Sequence, residues 1–536
     1  MLAKAATLLS KELTTLRVLT SAGVIHPYPP RVLVGIVTTL RQWGRGPAGG
    51  FATLALRAPD QVGVVDELGE LTWRELHERS NALARGLRRI GVAEGDSVAV
   101  LCRNHRGFVE TTIAINKLGA DVLYLNTAFA APQLGEVCER ERPAAIVYDE
   151  EFDGLVDRAA IDVPRVHAWQ DTETDLPTLE AMITAESTAD LTPPRRRGRS
   201  VILTSGTTGT PKGAPRSEAS FDAGVALLSR LPLKRGWRTH IAAPLFHTWG
   251  WAHLALAMLM GSTMVLRRKF DPEGCLQAVT EHECDSLVVI PVMLQRILQL
   301  PEETLRSYDL SHVKVVAASG SALPGDLGTD WMDHFGDHLY NIYGSTEVAW
   351  ATIAGPQDLR DAPGTAGKPP HATVVKVYDA HGNECPPGEE GRIFVGNSML
   401  FEGYTGGGSK DMIHGLMATG DVGRFDDNGH LFVEGRDDEM IVSGGENVFP
   451  QEVENCLARH DAVVEVAAIG VDDDEFGKRL RAFVVLSEPG AADEEELKAH
   501  VKANLARYKV PRDIVFIDQL PRNATGKILK RELANS

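Results

Sequence analysis

Apolar residues recur along the 536-residue chain in two rhythms. Compact runs of β-branched and aliphatic residues, Ser97-Val-Ala-Val-Leu101, Ala144-Ala-Ile-Val-Tyr148, Ser286-Leu-Val-Val-Ile290 and Val313-Lys-Val-Val-Ala317, predict buried strands. Stretches with apolar residues three and four apart predict helices, the clearest running from Trp73 to Ile90. Thr72 and Glu75 supply a capping box at its start, and Gly91 marks its end. Strands alternating with helices that lie on them predict an α/β fold. The longest apolar stretch, Trp251 to Leu266, is interrupted at Gly261, Ser262 and Thr263 and runs into Arg267, Arg268 and Lys269. It falls short of the ~20 apolar residues of a membrane span and predicts a buried helix followed by a strand. Past Asp421 the texture becomes turn-rich. Four segments there predict a small α+β module: a helix from Pro450 to His460, strands from Val464 to Val471 and from Arg481 to Leu486, and a helix from Ala492 to Arg507.

The first 45 residues pattern differently. Six Lys/Arg stand against one Glu, interleaved with Leu13, Leu16, Leu19, Val32, Leu33, Ile36 and Leu40. This basic amphipathic segment either packs on its own domain or lies on an anionic membrane surface, and it lacks the compact apolar core of a secretory leader. The cluster Pro193-Pro194-Arg195-Arg196-Arg197 predicts a solvated connector.

Length implies roughly two to four folding units. A 43% hydrophobic content and a mean hydropathy of −0.12 are those of a globular protein. The formal net charge of −18 disfavours nucleic-acid binding, which needs a basic face, so any phosphate must be held by local lysines, arginines and backbone N–H groups. Six cysteines without metal-ligand spacing suit a reducing cytoplasm.

One segment carries chemistry on its face. After the predicted strand Val201-Ile-Leu203 comes Thr204 to Gly213, TSGTTGTPKG, with three glycines, hydroxyls and Lys212. Glycines let backbone approach an anion, hydroxyls and N–H groups donate to its oxygens, and Lys212 adds a point charge. It is not a Walker loop: Pro211 and Gly213 stand where that pattern requires Gly and Ser/Thr.

With Pro244-Leu-Phe-His247, Ser319-Gly-Ser-Ala-Leu-Pro324, Tyr343-Gly-Ser-Thr-Glu347, Thr419-Gly-Asp421, Gly435-Arg436 and Pro521-Arg-Asn-Ala-Thr-Gly-Lys527 following in order, the chain resembles the adenylate-forming superfamily of acyl-CoA synthetases, luciferases and peptide-synthetase adenylation domains. The resemblance implies a large multi-sheet domain over residues 46–436, after the segment 1–45, and a small mobile α+β domain over 437–536 that pivots at Asp438. It places ATP contacts at Thr204, Ser205, Gly206, Thr207, Thr208, Gly209 and Lys212. Further contacts fall at Gly320, Ser321 and Ala322, at Asn341, Tyr343, Gly344 and Thr346, and at Asp421, Arg436 and Lys527. Tyr343 stacks on adenine, Asp421 takes the ribose hydroxyls, and Glu347 with Thr204 holds Mg2+. Glu347, Thr346 and Lys527 are the catalytic set, and Ser443, Gly444 and Gly445 line the CoA path.

The implied reaction joins a carboxylic acid to CoA through acyl-AMP. No acid follows Phe246 and His247 to pair with a substrate ammonium, which disfavours amino acids. His247, Trp249, Trp251, Met293, Ile342 and Trp350 are the candidate acyl-pocket residues. Trp251 stands four residues after His247, where some bacterial long-chain synthetases keep a gating tryptophan, so a medium- or long-chain fatty acid is the expected substrate. An aryl or alicyclic acid, and a fatty acyl-AMP ligase that delivers to a carrier protein, stay open, as do peripheral membrane contact through residues 1–45 and a homodimer.

Overall fold

The computed structural model describes residues 2–204, 212–216, 221–345, 347–400, 410–437, 441–443, 446–473, 477–505, 509–522 and 528–534. The chain is mixed α/β and forms two compact units, residues 1–318 with 398–409, and residues 319–397 with 410–536.

The first unit holds a six-stranded sheet in the order Arg165–Trp169, Ala145–Asp149, Ser97–Leu101, Asp121–Tyr124, Ser200–Thr204, Lys212–Arg216, parallel except for the last pair. Both faces of a parallel sheet are covered, so its strands read as unbroken apolar runs. Ala99, Leu101, Leu123, Ile146, Tyr148 and Val201 meet in one core cluster under the helix Ala131–Glu141. The predicted helix is Trp73–Arg89, and its Thr72–Glu75 capping box is present. The stretch from Trp251 resolves into the helix Thr248–Met260, ended by Gly261 in the left-handed region, and the strand Thr263–Val265. The strand expected from Val313 begins two residues later, at Val315–Ser319, because Val313 closes the preceding turn on Leu310. Arg196 and Arg199 both pair with Asp121 at 2.8 Å, so the connector expected to be simply solvated is partly an anchor for the central strand. Lys117 is fully buried between helices, where its Nζ donates to the carbonyl of His77, the hydroxyl of Ser80 and Asn81 Oδ1. Desolvation pulls this ammonium down to about 7.

The second unit contains the hairpin Leu339–Ser345/Ala349–Ala354 and a five-stranded antiparallel sheet in which Leu416–Phe425 pairs with Leu431–Arg436. It also contains a five-stranded sheet built on the long pair Val463–Asp473 and Gly477–Leu486, with the helices Pro450–Leu457 and Glu494–Asn504. Asp493 caps the latter helix by accepting from the N–H of Glu496.

Candidate functional site

In the second unit the hairpin slips register between Tyr343 and Gly344, a bulge at the motif itself that re-aims the strand. Only glycine fits at 344: a Cβ there would stand 1.8 Å from the carbonyl oxygen of Ala349. Ala349 holds φ at +57°, which costs an L-residue roughly 1–2 kcal/mol and is maintained by complete burial and by pairing with Ser345. The Ser345 hydroxyl accepts from the N–H groups of Glu347 and Val348 at 3.2 and 3.4 Å. The backbone N–H of Glu347 is therefore held at the strand end by Ser345. Thr346 lies outside the described residues.

The Tyr343 hydroxyl donates to Asp421 Oδ2 at 2.5 Å, and Arg436 Nη1 lies 3.4 Å from Asp421 Oδ1. Burial, and then the Asp421 charge, push the phenol well above its ordinary range, so it remains a donor. Asp421 and Arg436 face each other across paired strands, and Thr419 Oγ1 accepts from the Asp421 N–H at 3.1 Å. Gly420, at φ +88°, leaves room for two cations: Lys410 Nζ and Arg436 Nη2 each lie 3.3 Å from where its Cβ would be. Lys410 was not visible from sequence, since it belongs to no motif. Asn341 is buried and donates to the Thr365 carbonyl, and Ser319 donates to the Ile342 carbonyl, so the turn bearing Gly320, Ser321 and Ala322, all exposed, is tied to the strand that carries Tyr343. An aromatic ring, a carboxylate and two converging cations offer a face for a base, an acceptor for a diol and charge for phosphate.

In the first unit Thr204 and Lys212 are directly opposed in an antiparallel pair. The glycine-rich segment thus joins two strands, whereas a Walker loop leads into a helix. Ser205, Gly206, Thr207, Thr208 and Gly209 lie outside the described residues, as do Asp438, Gly444, Gly445 and Lys527. Ser443 is paired with Glu446 in a short hairpin.

His247 is the N-cap of the helix Thr248–Met260, and its buried Nε2 has no hydrogen-bond partner among the described residues. Trp249 donates to the Val289 carbonyl at 3.0 Å, and Trp251 to the Tyr124 hydroxyl at 3.3 Å; both indoles are about 5% exposed. Met293 is buried in the helix Pro291–Leu298. Ile342 and Trp350 are buried in the hairpin of the second unit.

Desolvation lowers His247 and His253 to about 3 and His240 to about 4. Since their folded values lie below the unfolded value of ~6.5, the unfolded chain takes up protons first as pH falls. The stability present above pH 6.5 is therefore lost between pH 6.5 and about 3, at up to ~1.4 kcal/mol per unit per histidine. Thermal unfolding followed from pH 7 to pH 5 is expected to show a steep loss, shallower in His253→Leu; an identical slope in the variant would refute this assignment.

A second buried cluster, Cys102, His105 and Asp149, has metal-like proximity. Its hydrogen bonds argue for a structural role. Gly107 N–H donates to His105 Nδ1, which places the ring proton on Nε2, and Nε2 donates to Asp149 Oδ1 at 2.8 Å. Asp149 Oδ2 accepts from the Arg103 N–H. Burial and Asp149 hold the Cys102 thiol protonated, and it donates to the Val147 carbonyl. A cation would have to displace the proton that fixes the tautomer.

Residues 51–405 match the family described as AMP-binding enzyme, and residues 452–527 match the AMP-binding enzyme C-terminal domain. The chain is 33% identical to a feruloyl-CoA synthase of Amycolatopsis sp over 475 residues, 86% of this chain and 93% of the relative. It is 32% identical to a 2-succinylbenzoate–CoA ligase of Bacillus licheniformis, over 89% of this chain and 97% of that one. Among solved structures, an anthranilate CoA ligase in complex with anthranoyl-AMP superposes with a TM-score of 0.80 at 26% identity, covering 91% of this chain and 96% of that one.

Proposed function

The chain belongs to the AMP-binding enzyme family and is an AMP-forming acid:CoA ligase, and on that footing we propose that the acid it activates is aromatic. The relatives above are named for feruloyl, 2-succinylbenzoate and anthranilate substrates, and this favours an aryl acid over the fatty acid expected from Trp251. The observation that carries the reading is the fixation of the two indoles. Trp249 and Trp251 are held by hydrogen bonds at their Nε1 atoms, and Tyr124, which anchors Trp251, stacks on Phe108 at 5.2 Å. An indole pinned at its Nε1 suits a flat ring beside it, whereas a gate for an alkyl chain has to swing. His247, kept neutral by burial, adds no charge at the start of the same helix.

In the proposed mechanism the acid's carboxylate attacks the α-phosphorus of ATP and expels pyrophosphate, giving the acyl-adenylate. Tyr343 supports adenine. Asp421 accepts from the ribose hydroxyls, while Arg436 and Lys410 stand beside it as phosphate or ribose donors. Lys212 and the backbone around it cradle the departing phosphates, and Lys527 bridges the carboxylate and the α-phosphate. Glu347 and Thr204 are oxygen donors of the kind Mg2+ prefers and would hold it, and the bound ion supplies neutralising charge to the phosphates. In the second half-reaction the CoA thiolate attacks the acyl carbonyl and AMP leaves. Motion at Asp438 is the proposed means of replacing Lys527 with the Ser443–Gly445 face between the two steps.

CoA consumption measured over benzoates, cinnamates, arylacetates and C4 to C20 fatty acids tests the substrate class. The best aryl acid is expected to exceed every straight-chain acid by about tenfold or more in kcat/KM. A straight-chain acid at the top of that ranking would sink the reading.

A further inference from the structure

Two helices at the start of the chain carry apolar side chains where a globular surface should be polar. The helix Pro30–Trp43 lies on Pro47–Arg57, with Gly35 against Leu56, and none of its own residues is buried. Its outward face, at spacings of three and four, presents Leu33, Val34 and Val37 at 46, 67 and 61% exposure, with Arg31 and Arg41 exposed beside them. The helix Leu2–Ser21 buries Leu19 but leaves Leu13 and Leu16 more than half exposed next to Arg17, and Ile25 is 47% exposed in the connection.

This segment is anchored. Arg235 donates its N–H to the Ala22 carbonyl at 2.8 Å, and Lys234 Nζ donates to the Ser21 carbonyl at 2.7 Å. The Arg235 guanidinium lies 5.2 Å over the Tyr28 ring, whose hydroxyl accepts from Arg57. The apolar faces are therefore presented by the folded unit.

Charge identifies the occupant. Residues 1–45 carry six Lys/Arg against one Glu, in a chain whose formal net charge is −18. A second copy of the same face would set this basic surplus against itself, which opposes self-association. A bilayer surface with anionic headgroups complements both features at once, since it accepts apolar side chains at the acyl boundary and attracts arginines at the headgroups. No helix among the described residues is long and apolar enough to cross a membrane, so the contact is peripheral. We propose that the first 45 residues hold the enzyme on an anionic lipid surface. This does not depend on which acid is activated.

The test is flotation of the full chain with vesicles of phosphatidylcholine alone and of phosphatidylcholine with phosphatidylglycerol, for the wild type and for the L33S/V34S/V37S and R31E/R41E variants. The wild type is expected to float with the phosphatidylglycerol vesicles, to be released by salt, and to stay behind with phosphatidylcholine alone. Each variant is expected to lose about tenfold in bound fraction while its CoA-ligase rate in solution is unchanged. Failure of the wild type to float, equal binding to both vesicle types, or variants that bind like the wild type would overturn the proposal. A dimer seen by light scattering and dissolved by L33S/V34S/V37S would also overturn it, by assigning the face to a second copy.

Discussion

Gly344→Ala is expected to abolish productive ATP binding and to lower stability by about 3 kcal/mol or more. The added methyl would sit 1.8 Å from the carbonyl oxygen of Ala349, an overlap no side-chain rotation can relieve because both partners are backbone. Relief would require opening the hairpin at its closing pairs, Gly344 with Trp350 and Ser345 with Ala349, which fix Tyr343 on one side and Glu347 on the other. The proposed adenine support and the proposed metal-binding carboxylate would then move together. ATP affinity by calorimetry and the melting temperature of the same sample check this. An alanine variant with wild-type values in both would show that the bulge is not what positions Tyr343. Ala349→Gly is the informative companion, since it relieves the positive φ without adding an atom and is expected to leave ATP binding intact.

Lys527→Ala is expected to cut acyl-AMP formation by about 10²–10³-fold, some 3–4 kcal/mol of transition-state stabilisation. Thioester formation from supplied acyl-AMP should stay within about threefold, because the proposed motion at Asp438 carries Lys527 away before the thiolate attacks, and the charge that passes from the carbonyl oxygen to the departing AMP develops without it. The asymmetry between half-reactions is the diagnostic quantity. Equal losses in both would remove the basis for alternation about Asp438.

Much of the fold was legible because its signals are local. The capping box at Thr72 and Glu75 and the left-handed glycine after Met260 each depend on a few adjacent residues, and the helices they bound are in place. The first strand residue after Leu310 was misplaced by two, because Val313 is as apolar as a strand residue yet closes a turn. The proposed nucleotide face was read from ordered motifs, and Tyr343, Asp421 and Arg436, 78 and 15 residues apart along the chain, meet in the structure. Lys410 was hidden because the fold alone brings it to the space beside Gly420, in the strand Leu416–Phe425, where Arg436 also reaches. The same holds for Lys117, whose acceptors on His77, Ser80 and Asn81 lie 36 to 40 residues earlier, and for His105 with Asp149, 44 residues on. Buried polar networks are satisfied by tertiary neighbours, and neither hydrophobic period nor local spacing encodes those.

The bond between Tyr343 and Asp421 has a consequence for how a nucleotide enters. The carboxylate proposed to receive the ribose has the phenol as a guest, with Arg436 beside it. On that proposal the ribose hydroxyls would replace one donor with others, and the carboxylate would not be left bare in a low-dielectric place. Admission would then work by exchange, the Tyr343 hydroxyl being released to seek a new acceptor as its ring takes up the base. A Tyr343→Phe enzyme would keep the ring but begin each cycle with a more hydrated Asp421, so the missing oxygen would be felt as the cost of drying the site.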